Sequence, residues 1–79
     1  MKTIKFNNKV VAVPAETIFD YLEYRKLNKE LEKGYSEGLN QVQDSIAQNI
    51  MTWANDIAGL NTSLPELKPE LEKIALELI

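Results

Sequence analysis

The sequence predicts a mostly helical α+β fold, in which an N-terminal two-stranded β-hairpin packs on a helical hairpin and a C-terminal helix follows. Apolar and polar side chains alternate around an Asn-Asn pair near the N-terminus, which is typical of a hairpin. Farther along the chain, apolar residues recur every three or four positions, which indicates helices, and glycines stand where two of these helices should end. The chain has 79 residues and is expected to form one domain over 1–79.

Asn7 and Asn8 are predicted to form the two-residue turn of a hairpin over about 3–13, because asparagine tolerates the positive φ that such turns need. This turn pairs Phe6 with Lys9. Four apolar side chains then share one face of the hairpin: Ile4, Phe6, Val11 and Val13. Because a two-stranded sheet is marginal in water, that face is expected to pack against a helix.

The first helix is expected over about 15–33, after Pro14 and before Gly34. Its apolar residues fall into two groups that lie on different sides. The group expected to cover the hairpin comprises Ile18, Phe19 and Leu22. The group expected to contact the next helix comprises Tyr21, Tyr24, Leu27 and Leu31.

The second helix is predicted over about 36–58, with Ser36 as its cap and Gly59 as its stop. It has the most regular apolar spacing of the chain. The residues expected to face the core near its end are Ile50, Trp53 and Ile57. The alternative is one continuous helix over 15–58, at a cost of about 1 kcal/mol for each internal glycine.

The third helix is predicted over about 66–78. Ser63 and Glu66 have the spacing of a capping box, whereas Pro69 predicts an irregular first turn. The apolar residues form a narrow seam that could serve as a contact surface: Leu64, Leu67, Leu71, Ile74 and Leu78.

The composition argues against several classes of function. The chain lacks cysteine and histidine, and no catalytic, cofactor-binding or metal-binding motif is present, so an enzyme is not expected and no cofactor is implied. Asp20 and Glu23 could share a metal ion, but such pairs usually lie in solvent. The net charge of −3 makes nucleic-acid binding improbable. No apolar run is long enough to cross a membrane, and a cytoplasmic protein is expected.

The most unusual feature is a long stretch without positive charge. Residues 34–67 contain no Lys or Arg, and amide and hydroxyl side chains dominate the predicted second helix. Uncharged polar groups suit a surface that another chain covers, although a sequence bias without function is the alternative. The predicted partner-binding residues are Gln41, Gln48, Met51, Thr52 and Asn55.

These observations favour a small protein-binding module that self-associates, occludes a partner protein, or does both. The small size, the lack of cysteine and histidine and the charge-poor helix would suit an inhibitor or accessory protein encoded by a phage or mobile element, although no motif supports this. One alternative is a small-molecule or nucleotide binder that uses an aromatic and basic cluster of Tyr21, Tyr24, Arg25 and Lys26. Another is a structural component of a phage particle that assembles through hairpin edges.

Overall fold

The structure is a computed structural model that describes residues 2–78. Its elements, in chain order, are β1 (Lys2–Phe6), β2 (Lys9–Val13), α1 (Ala15–Glu32), α2 (Leu39–Thr52), a π-helical segment (Trp53–Ile57) that continues α2, and α3 (Leu64–Glu77). α1 packs along α2, and α3 lies against both α1 and β1. The predicted fold class is therefore confirmed.

The hairpin has the predicted turn and register. Asn7 and Asn8 adopt φ values of 51° and 63°, and β1 pairs with β2 so that Phe6 lies opposite Lys9. The apolar face points inward: Ile4 and Val13 are buried, while Phe6 and Val11 pack half-buried against the same core. The hairpin face is therefore part of the core, as expected.

α1 begins after Pro14 and ends before Gly34, close to the predicted bounds. The expectation for Phe19 was wrong, because its side chain is 67% exposed. Ile18, of the same predicted group, is buried, and so is Tyr21. Successive residues of an α-helix are rotated by about 100° about the helix axis. Phe19 therefore lies on a different side of the helix from Ile18 and Tyr21.

α2 starts later than predicted. Gly34 and Gly38 both adopt left-handed conformations, with φ of 94° and 71°, and the chain between them is non-helical. The helix begins at Leu39, so Ser36 does not cap it. The same two glycines rule out one continuous helix over 15–58, since left-handed residues cannot continue a right-handed helix.

The end of the second helix is wound differently from the prediction. The Ala58 N–H donates to the Trp53 carbonyl oxygen at 2.8 Å, an i to i+5 bond that places one more residue in the turn than an α-helix has. Trp53 stays buried, but Ile57 is turned outward and is 77% exposed. The expectation that Ile57 faces the core was therefore wrong. Gly59, with φ of 65°, ends the segment as predicted.

α3 begins at Leu64 and remains helical through Pro69, so the predicted irregular first turn does not occur. Ser63 occupies the N-cap position without a side-chain capping bond, and Glu66 instead accepts a hydrogen bond from the Thr62 hydroxyl. The predicted capping box is therefore absent.

The apolar seam of α3 faces the interior. Its first four members, Leu64, Leu67, Leu71 and Ile74, are buried in the core, whereas Leu78 is half exposed. The seam is thus used for folding and is not a surface reserved for a partner. The core joins residues from the hairpin and all the helical elements: Ile4, Val13, Ile18, Tyr21, Ile50, Trp53, Ala54, Leu60, Leu64, Leu67, Leu71, Ile74 and Ala75.

Candidate functional site

Two surfaces contain the residues that the sequence singles out. The first is the outer face of α2, defined as Gln41, Gln48, Met51, Thr52 and Asn55. The second is a groove between α1 and α3, here called the α1–α3 groove, to which Tyr21, Tyr24 and Arg25 contribute.

The outer face of α2 is largely open to solvent. Gln41, Gln48, Thr52 and Asn55 are exposed, and Met51 is half-buried because it packs against the core. The helical period brings Gln41 and Gln48, seven positions apart, to the same side of α2. Two apolar side chains on α2 and its π-helical end are also exposed: Val42 at 48% and Ile57 at 77%.

Two members of this face also make local hydrogen bonds. The Thr52 hydroxyl donates to the Gln48 carbonyl oxygen at 2.9 Å, within the helix. The Asn55 side-chain oxygen accepts from the Thr62 backbone N–H at 2.8 Å and so holds the loop that leads to α3. Asn55 therefore contributes to the fold, and Gln41 and Gln48 are better positions at which to test binding alone.

The α1–α3 groove has a volume of about 530 Å³. The structure brings together three of the four residues of the predicted aromatic and basic cluster, because Tyr21, Tyr24 and Arg25 all line the groove. The tyrosine rings stack with centroids 6.4 Å apart. Lys26 is exposed outside the groove, which contains Lys29 and Lys68 instead.

Glu72 of α3 contacts two residues of α1 that line the groove. Its carboxylate accepts a hydrogen bond from the Tyr21 hydroxyl at 2.5 Å and forms an ion pair with Arg25 at 2.9 Å. The position where Arg25 was expected to hold a ligand anion is thus taken by a carboxylate of the chain itself. No local pattern marks Glu72, since it lies far from both partners in the sequence and α3 carries several other glutamates.

Burial raises the pKa of Tyr21 well above its ordinary value of 10.0, and the hydrogen bond to Glu72 adds to the effect. The folded protein therefore holds the phenolic proton more tightly than the unfolded chain. This contribution to stability is complete below about pH 10 and is lost as the pH rises further, because the unfolded chain then releases the proton first.

Tyr21→Phe is expected to lower the free energy of unfolding by about 1 kcal/mol at pH 7, through loss of the hydrogen bond to Glu72. Above about pH 10 the difference between parent and variant should shrink, because only the parent has this proton to lose. Urea denaturation from pH 7 to 11 measures both effects. Tyr35→Phe is the control, since Tyr35 is 62% exposed, and a gap between parent and Tyr21→Phe that stays constant with pH would contradict the assignment.

The acidic pair considered for a metal does not form a cluster. Partial burial raises the pKa of Asp20, and the charge of Glu16 adds to this, so Glu16 is the interacting neighbour of Asp20. Within residues 2–78, no group of three or more acidic side chains is placed to hold a metal ion. The pair Asp20 and Glu23 thus lacks further ligands there.

Comparison with protein-family profiles, curated sequences and solved structures gave no match. Across the part of the chain that the structure describes, the helices are too short or too polar to cross a membrane.

Proposed function

We propose that the protein is a small non-enzymatic binding module that docks onto protein through the outer face of α2. The main support is that a helix without Lys or Arg presents its amide and hydroxyl side chains to solvent. Burial inside the fold does not explain the lack of positive charge, because these positions are exposed. Contact between this surface and another chain explains the lack of positive charge better.

Desolvation favours uncharged polar side chains on a surface that a partner covers. A charged side chain loses its hydration when a partner covers it, and the ion pair that replaces hydration often only compensates for the loss. Amides and hydroxyls cost less to cover and can form hydrogen bonds with a partner. Charged residues are accordingly depleted in the centres of protein interfaces. Gln41 and Gln48 lie where an isolated surface helix would ordinarily carry Lys or Glu.

Apolar contact could come from the exposed side chains near this face. Val42 and Ile57 are 48% and 77% exposed, and Met51 is half-buried next to Thr52 in the chain. Methionine adapts its shape to irregular surfaces, which suits a contact residue. The partner in this proposal is a second copy of the chain or a protein whose surface the module occludes.

Introducing lysine at both Gln41 and Gln48 is expected to weaken self-association by several kcal/mol, because two charges would enter the interface without partners. The fold should survive, since lysine is a good helix former at exposed positions. Light scattering of parent and double variant over a concentration series measures the effect. The parent should be oligomeric and the variant should shift toward monomer.

Glu23→Lys is the matched control, because one such change alters the net charge by the same two units at an exposed position of α1. It should leave the oligomer intact. A parent that stays monomeric at high concentration would exclude self-association, and affinity capture with the parent and the double lysine variant would then test for another protein. An oligomer insensitive to both lysines would place the interface elsewhere.

A further inference from the structure

The α1–α3 groove is separate from the outer face of α2 and contains none of its residues. Its walls come from the C-terminal half of α1 and the N-terminal half of α3. Its volume of about 530 Å³ lies within the range of roughly 300 to 1,000 Å³ that is usual for small-molecule sites.

Hydrogen-bond donors converge on this groove from both walls. Lys29 lies on the α1 side and Lys68 on the α3 side, and both are exposed. Asn28 also lines the groove, and its side-chain oxygen accepts from Gln43 at 3.4 Å, so the group it can offer to a ligand is its amide N–H. Glu32 is the acidic residue at this end.

Two of the charged residues in the groove neutralise each other. Arg25 is paired with Glu72 at 2.9 Å, so neither residue supplies a net charge to an incoming ligand. Two lysines and one glutamate are left, and the local charge is positive on a chain whose net charge is −3. An anionic group is therefore the favoured occupant of this end.

The groove also contains a flat aromatic surface. Tyr24 lines it with an aromatic ring, on which a planar group can stack. Pro65 lines it as well, and its carbonyl oxygen lacks the usual helical donor because the residue four positions later is Pro69, which has no N–H.

We propose that the α1–α3 groove binds a small anionic ligand with a planar ring, the chemistry of a nucleoside monophosphate. Lys29, Lys68 and the Asn28 amide bind the phosphate. The ring stacks on Tyr24.

The test uses adenosine monophosphate as the probe, with isothermal titration calorimetry and NMR chemical shifts as readouts. Saturable binding is expected, with shifts at Tyr24 and Asn28. The double variant Lys29→Ala/Lys68→Ala should bind about tenfold more weakly or worse, because it loses both charge-assisted contacts. Lys5→Ala/Lys26→Ala removes the same charge from exposed positions outside the groove and should bind within about twofold of the parent.

Several results would overturn the proposal. Equal weakening by the two double variants would show that binding reflects overall charge. Adenosine binding as tightly as its monophosphate would exclude the phosphate contact, and ribose 5-phosphate binding as tightly would exclude the ring contact. Tighter binding of a short glutamate-rich peptide, with the same dependence on Lys29 and Lys68, would assign the groove to a protein segment. Lack of saturable binding up to about 10 mM probe, which means a Kd above about 10 mM, would exclude a nucleotide site.

Discussion

Replacing Trp53 with alanine is expected to lower the free energy of unfolding by about 3 to 5 kcal/mol, the usual cost of removing a large buried aromatic side chain. Trp53 is 5% exposed and belongs to the core together with Ile50 and Ala54, which are fully buried. A small domain has a total stability near the lower end of about 5 to 15 kcal/mol. The variant should therefore be partly or wholly unfolded at 25 °C, as measured by circular dichroism with urea titration.

Ile57→Ala is the matched control for this variant. Ile57 lies four residues beyond Trp53, and in a regular α-helix the two side chains would share a face. Because the π-helical turn leaves Ile57 77% exposed, its truncation should change stability by less than about 0.5 kcal/mol. A large loss for Ile57→Ala, or a Trp53→Ala variant as stable as the parent, would contradict the winding of this segment.

Replacing Pro69 with alanine is expected to stabilise the protein by about 1 to 3 kcal/mol. Pro69 lies inside α3, where proline is disfavoured by about 3 kcal/mol relative to alanine. Alanine restores an N–H that can donate to the Pro65 carbonyl oxygen and removes the contact between the proline ring and that oxygen. Greater freedom of the unfolded chain offsets part of the gain, by about 0.4 to 1 kcal/mol. Thermal and urea denaturation measure the net change.

Pro65→Ala provides the comparison for this second variant. Pro65 lies in the first turn of α3, where the missing N–H would lack a helical partner in any case. Its replacement should be neutral or slightly destabilising. If Pro69→Ala were no more stable than Pro65→Ala, α3 would not be regular through residue 69.

Several features that depend on neighbouring residues were predictable, although the Ser36 cap and the Ser63–Glu66 capping box did not form. The Asn7-Asn8 turn determines the hairpin register, because a two-residue turn with positive φ leaves one way to pair the strands. Gly34 and Gly59 end helices because they adopt the left-handed conformation that most residues avoid. The inward face of the hairpin and the buried side of α3 likewise follow from the spacing of apolar residues.

Features that depend on distant contacts were not predictable in this way. Phe19 and Ile57 are as apolar as their buried neighbours, and only the positions of the other elements determine which side of each helix is covered. The π-helical turn at Trp53 also depends on packing, because its hydrogen bonds alone do not favour it over an α-helix.

The two candidate sites differ in the same way, because one follows from composition and the other depends on tertiary packing. The lack of Lys and Arg over 34–67 is a property of composition, so the outer face of α2 could be selected before its exposure was known. The α1–α3 groove forms only when α3 lies beside α1, which pairs Arg25 with Glu72 and places Lys29 and Lys68 in the same groove. Local sequence therefore specifies the hairpin turn and the stops at Gly34 and Gly59. The packing of α3 on α1 decides which charges are neutralised within the chain and which remain available to a ligand.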